Sequence, residues 1–223
     1  MKALPIFYCP KVNTAVAIDG DLKHQPWTDL TPVGDLVLSN GEGVPQQRTQ
    51  VLSCWDDKNI YIAFDIHDMD IRATFTQRED KVWLEEAVEF FVSPDGDLKK
   101  YYEFQFSPRN VVRDIRVENP LGRMQGSTFY GEWVCEGLQS AVLLDGVLND
   151  PSARSMGWSI TIALPFAAIL PIKGTINPGD EWLINFFRVD RWPREEFSAW
   201  SPTYIHPWEF HVPEFFGHLI FKA

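Results

Sequence analysis

From Thr49 onward the chain is a succession of short runs in which apolar and polar side chains alternate, separated by clusters of Gly, Pro, Asp and Asn. A period of two puts successive side chains on opposite faces of a strand, and turn residues every few positions leave no room for long helices. Thr49–Trp55 and Ile60–His67, joined by Asp56-Asp57-Lys58-Asn59, read as a β-hairpin. In its second strand Ile60, Ile62, Phe64 and Ile66 share one face and Tyr61, Ala63, Asp65 and His67 the other, which is the pattern of a half-buried strand. A second hairpin follows, with Val88-Phe90-Val92 and Tyr102-Phe104-Phe106 as apolar faces and Ser93-Pro94-Asp95-Gly96-Asp97 as the turn. Val111–Val117, Gly131–Glu136, Trp158–Ala163, Trp182–Val189 and His218–Phe221 are further predicted strands. One short helix is expected, starting at Pro165 and running through Phe166-Ala167-Ala168-Ile169-Leu170 into Pro171. Many short strands with almost no helix predict an all-β fold, an antiparallel β-sandwich with jelly-roll or immunoglobulin-like layers, whose bulky inward residues fill a two-layer core.

A length of 223 residues fits one large all-β domain or two small ones. With no linker, low-complexity tract or internal repeat, the expectation is a single domain over 1–223. A chain of this size buries roughly 70% of its unfolded surface, so it folds without disulfides or a structural metal. Cys9, Cys54 and Cys135 fit that reading: three, far apart and in no C-x-x-C arrangement, they are expected as buried small hydrophobes. The N-terminal segment has no apolar run of signal-peptide length before prolines and Lys11 interrupt it, and no segment is predicted to span a membrane. The expectation is a cytoplasmic chain, or a secreted or periplasmic one whose signal has been removed. Oligomeric state leaves no trace in the sequence.

Charge narrows the partners. A net charge of −11 argues against nucleic acid, which demands clustered Lys and Arg. Neutral ligands are compatible with it, and so is calcium, which takes carboxylate and carbonyl oxygens. Asp65, Asp68 and Asp70 cluster at a strand end but do not follow the twelve-residue calcium-loop spacing, and they read more simply as a solvated turn. No Walker loop, G-x-G-x-x-G, H-E-x-x-H or G-x-S-x-G motif occurs, and the five histidines show no metal-ligand spacing.

Candidate binding residues begin at Trp83, just before the strand that carries Glu89. Because Val88 and Phe90 face the core, Glu89 must face the other way. An indole can lie against the C–H face of a sugar while a carboxylate accepts from its hydroxyls. The second wall is sought in the Pro- and aromatic-rich segment that holds Trp200 and Trp208, with His206 and His211 flanking the latter. Most of the nine tryptophans must be structural, so each of these candidates has packing as its competing role. Glu86 with Glu89, or Glu89 with Glu103, would offer the two carboxyl groups that glycoside hydrolysis requires, although nothing in the spacing fixes their separation.

At these residues the chain resembles the family 9 carbohydrate-binding modules and their relatives in the DOMON-like group. Ile18-Asp19-Gly20 with Trp27, Val51–Phe64, Trp83–Val92, Gly157–Pro165 and Phe215–Leu219 match family segments in order over nearly the whole length. The resemblance implies a β-sandwich that binds sugars non-catalytically between two tryptophans, in the family at the ends of glucan or xylan chains, with a role in polysaccharide catabolism. By position Trp83 is the first tryptophan and Glu89 a hydroxyl-binding carboxylate. Trp208 is the choice for the second, with Trp200 as the alternative. Gln105 stands where the family has an arginine, a departure that bears on reducing-end specificity. Some members bind calcium structurally. Two rival readings follow from the same kinship: a xylanase-like glycoside hydrolase, and a haem-binding domain using Met69, Met124, Met156 or histidines as ligands. The long stretch from Val117 to Val134 lies outside what a minimal module needs.

Overall fold

A computed structural model describes residues 3–170 and 175–223. The expected helix stop at Pro171 lies outside them. The strands are β1 (Ile6–Cys9), β2 (Gly34–Asp35), β3 (Val37–Leu38), β4 (Thr49–Trp55), β5 (Asn59–His67), β6 (Ala87–Ser93) and β7 (Lys100–Phe106), then β8 (Val112–Glu118), β9 (Thr128–Tyr130), β10 (Gln139–Asp145), β11 (Gly157–Pro165), β12 (Glu181–Asp190), β13 (Glu196–Ala199) and β14 (Gly217–Phe221). A single-turn helix α1 spans Phe166–Ile169, where Pro165 removes a backbone donor that a helix start does not need. One sheet runs β1-β14-β12-β6-β7-β8-β9, with β13 and β3 attached at β12; the other runs β10-β11-β5-β4-β2.

The two sheets pack face to face because the alternation predicts the same inner face on each. Ile60, Ile62, Phe64 and Ile66 of β5 meet Val88, Phe90 and Val92 of β6, and Phe104, Phe106, Ile184 and Phe186 complete that layer. Aromatic rings set the spacing: Phe90 stacks on Phe104 at 4.7 Å, and Phe64 meets Phe186 edge-on at 6.0 Å. All three cysteines are buried and free, and burial pushes the Cys9 and Cys135 thiols up to about 12.

Four features depart from the sequence reading. The pairing is not wholly antiparallel, because β1 runs parallel to β14, Ile6 opposite His218. Tyr61 and Ala63 of β5 are covered rather than solvated: the segment carrying Val12, Val16, Ile18, Trp27 and Leu30 lies over that face. Gly131–Glu136 is not a strand, and Thr128–Tyr130 pairs with β8 instead. Trp133 turns in to pack on Tyr102 at 4.8 Å, and the Cys135 amide donates to the Asp114 carboxylate, so this segment's groups are satisfied off the ladder. Finally, β1, β2, β3, β10 and β13 were not expected.

A second apolar layer on the outer face of the larger sheet positions the site. Phe91, Tyr101, Ile115, Val117, Phe187 and Val189 point away from the intersheet core and are buried with Phe210 and Phe216. Phe210 stacks on Phe187 at 4.2 Å. The C-terminal segment is thus bound onto this face, and its turn into β14 depends on Gly217: a Cβ there would lie 2.3 Å from the Trp200 ring and 2.8 Å from the Pro5 carbonyl oxygen. Gly217→Ala is expected to cost about 1–3 kcal/mol by overpacking. The urea midpoint reads this, and an unchanged midpoint would count against the close approach.

Candidate functional site

Ladder register arranges the outer face of the larger sheet in rungs. Glu89, Gln105 and Arg113 lie side by side on β6, β7 and β8; Phe91, Glu103 and Ile115 form the next rung; Tyr101, Val117 and Phe129 follow on β7, β8 and β9. Above the first two rungs and Phe129 opens a cleft of about 820 Å³, within the usual range for small-molecule sites. Trp83 stands at the polar end, in a 3₁₀ turn, Val82–Leu84, that precedes β6. Trp208 and Pro207 form a second wall from the C-terminal segment, and Met124 and Gln125 of the loop between β8 and β9, with Phe129 of β9, a third.

Both tryptophans are half-buried and fixed. Trp208 stacks on Phe197 at 4.2 Å and 20° and meets Phe210 at 5.4 Å. The Arg191 guanidinium lies 6.0 Å from the Trp208 ring centre and donates at 2.9 Å to the Trp83 carbonyl. The Arg113 guanidinium sits 4.9 Å from the Trp83 ring centre. The two indoles are therefore braced by arginines rather than by the sheet alone.

Beneath them the polar groups are buried yet incompletely paired. Gln105 Nε2 donates to Glu103 Oε1 at 2.6 Å, while Gln105 Oε1 and Glu103 Oε2 have no hydrogen-bond partner. Burial pushes the Glu89 carboxyl well above its ordinary range, and the neighbouring Glu103 carboxylate adds to the effect; burial likewise raises Glu103, against the pull of Arg113. His211 Nδ1 lies 2.8 Å from Tyr101 Oη, and Asn119 Nδ2 donates to that Oη at 3.2 Å and to the His211 carbonyl at 3.1 Å. Burial lowers the His211 imidazole to about 4, keeping it neutral.

The structure brings Trp83, Glu89, Gln105 and Trp208 together on this cleft. Trp200 does not belong to it. Its amide donates to the Phe186 carbonyl and its ring packs into the intersheet core 5.8 Å from Phe186, because the chain turns inward as soon as β13 ends. Glu89 faces outward as expected but is 2% exposed, a floor group rather than a solvated one. Glu85 and Glu86 are drawn elsewhere, Glu85 accepting from the Thr74 amide at 2.6 Å and Glu86 from the Arg72 amide at 3.2 Å. The pairing of Glu86 with Glu89 fails for that reason. His211 lines the cleft, and His206 does not.

Asp68 and Asp70 are not a solvated turn. Each is matched by an arginine: Asp68 with Arg188 at 3.0 Å, Asp70 with Arg72 at 2.8 Å. Among the described residues no group of three or more His, Cys, Asp or Glu side chains is placed to hold a metal ion. Sequence reasoning missed Arg113 and Arg191. Arg113 was legible in principle, as the outward residue opposite Gln105 once the third strand's register is known; it supplies the cation on the strand next to the one where the resemblance looks for it.

A β-sandwich with an aromatic-walled, polar-floored cleft on one sheet defines a ligand-binding module. The model of carbohydrate-binding family 9 matches residues 24–221, and the chain belongs to that family. It is 27% identical to an extracellular protein of Arthroderma benhamiae, over 93% of this chain and 96% of that one. A candidate carbohydrate-binding protein from Bacteroides uniformis superposes with a TM-score of 0.77 at 18% identity, covering 99% and 100% of the two chains. A family 9 module from Caldicellulosiruptor kristjanssonii, solved with cellotriose and with glucose, superposes at 0.65 and 13% identity; the cellotriose complex is matched over 98% of this chain and 94% of that one.

Proposed function

We propose that the cleft binds a terminal sugar of a glucan or xylan fragment without cleaving it, the ring lying between Trp83 and Trp208. The observation that carries this reading is the rung Glu89–Gln105–Arg113 in the same cleft as the two indoles, with free acceptor oxygens on Gln105 and Glu103. A pyranose presents C–H faces to aromatic walls and hydroxyls around its rim. Gln105 Oε1 and Glu103 Oε2 would accept from those hydroxyls, and Arg113 would donate to the ring or anomeric oxygen. Buried polar groups left unpaired in the free protein give such a site selectivity, because a ligand lacking matching hydroxyls leaves them unsatisfied. The neighbouring fold that holds cellotriose and glucose is consistent with this choice of ligand.

Isothermal titration with glucose, xylose, cellobiose, cellotriose, xylobiose and xylotriose tests it. Saturable binding is expected for at least one series, with affinity reduced about 30-fold or more in a Trp83→Ala Trp208→Ala variant, since two aromatic walls contribute on the order of 1–2 kcal/mol each. Absence of heat for every sugar, or full affinity in the double variant, would overturn the reading.

A further inference from the structure

We propose that the end of the cleft remote from Trp83 is a second compartment for an apolar, preferably aromatic, aglycone attached to the sugar; this rests on the sugar-binding reading above. The lining loses polarity in that direction, from the rung Glu89–Gln105–Arg113, through Phe91–Glu103–Ile115, to Phe129, whose rung neighbours Tyr101 and Val117 are buried beneath it. The cleft is larger than one hexose needs, at about 820 Å³. At the apolar end two polar groups are already engaged, which leaves Gln125 and the second nitrogen of His211 as the polar lining. Tyr101 Oη is bonded to His211 and Asn119, and the Glu209 carboxylate accepts the Met124 amide. A second sugar ring would bring hydroxyls to a place with few partners for them, and each one desolvated without a hydrogen bond weakens binding.

The third wall points to what belongs there instead. Phe129 and Met124 are 37% and 54% exposed, yet the loop that carries them is anchored at three points. Asn119 bonds the His211 carbonyl, Arg123 pairs with Glu214 at 3.1 Å, and the Met124 amide meets Glu209. Two large apolar side chains are thereby held open on the cleft rather than folded away. Phe129 stands edge-on to His211 at 5.2 Å, leaving ring surface for a stacked or edge-on aromatic group, and a Met thioether suits the same neighbour. The stretch that exceeds a minimal module is in this light the specificity wall.

The test is calorimetry with matched methyl and phenyl β-glycosides of glucose, xylose and galactose, and with cellobiose. For the sugar that binds, the phenyl glycoside is expected to bind about tenfold tighter than the methyl glycoside, the gain from burying one ring against apolar walls. That ratio is expected to fall to within about twofold of one in Phe129→Ala and in Phe129→Ala Met124→Ala, with circular dichroism and melting confirming that both variants fold. Equal affinities for the wild-type pair, a gain for cellobiose as large as for the phenyl glycoside, or a ratio unchanged in the double variant would overturn the aglycone compartment and leave sugar binding standing. No binding by the methyl or phenyl glycosides while free glucose or xylose still binds would also overturn the compartment alone, and no binding by the free sugars either would overturn both.

Discussion

Urea is expected to unfold this protein at a distinctly lower midpoint at pH 8 than at pH 5, the reverse of a protein stabilised by paired carboxylates. Glu86 is pushed up to about 11 by burial and by the nearby Asp68 and Asp190 charges, and burial raises the Glu89–Glu103 pair and moves Asp190 to about 6. Below about pH 4.5 such groups carry their protons in both states and the folded chain has its full stability. As pH rises, the unfolded chain ionises while the folded chain holds its protons, and stability falls by about 1.4 kcal/mol per unit per group until the folded-state value is passed. For Glu86 the loss from pH 5 to pH 8 is on the order of 4 kcal/mol. His211 works the other way, since its lowered imidazole adds stability as pH rises from about 4 to its ordinary range, but it is one group against several. Self-repulsion from a net charge of −11 grows over the same interval. Midpoints that match at pH 5 and pH 8, or rise between them, would show that these carboxyls ionise freely in the fold. Glu86→Gln should flatten the slope by about one proton.

The sequence exposed the parts of this molecule that depend on local alternation. The inner faces of β5, β6 and β7 follow from side-chain parity alone, and so does the outward direction of Glu89. What parity cannot supply is which side a sheet's outer face is covered on. Tyr61 and Ala63 looked solvated because the segment that buries them, around Trp27, reads as an irregular lead-in rather than as structure. Glu89 looked solvated because its cover arrives from more than a hundred residues away, in Trp208 and Phe210. Trp200 and Trp208 share one aromatic, Pro-rich segment and one composition; their opposite fates follow from a single backbone hydrogen bond, Trp200 to Phe186, that carries the first into the core. Arg113 stayed hidden for a different reason. Its role needs the register of three adjacent strands, and a one-residue slip would have sent it to the other face.

Arg188→Met is expected to lower stability by about 3–5 kcal/mol at pH 8, a drop of roughly 6–20 °C in Tm for a chain of this size. Arg188 is 2% exposed on the inner face of β12, where its guanidinium meets Asp68 and Asp190 at 3.0 Å each and donates to the His67 carbonyl at 2.8 Å. Asp68 and His67 belong to the end of β5 in the opposite sheet, so one side chain ties the two layers together at the edge where the cleft-bearing strands begin. Methionine fills much of the volume but leaves Asp68, Asp190 and Glu86 facing one another without a cation, and an uncompensated buried charge costs far more than the lost packing. The same change should cost less at pH 5, where Asp190 takes up a proton, Glu86 being protonated at both pH values, and only part of the charge is left exposed to the core. Arg188→Lys should recover a fraction of the stability, since an ammonium restores the charge without the fork that reaches Asp68, Asp190 and the His67 carbonyl together. A loss below about 1 kcal/mol at pH 8, or one independent of pH, would show that the carboxylates and not the guanidinium carry this junction. Because Phe187, the next residue on β12, lies opposite Glu89 on the outer face, the junction also fixes the strand against which the cleft floor is registered.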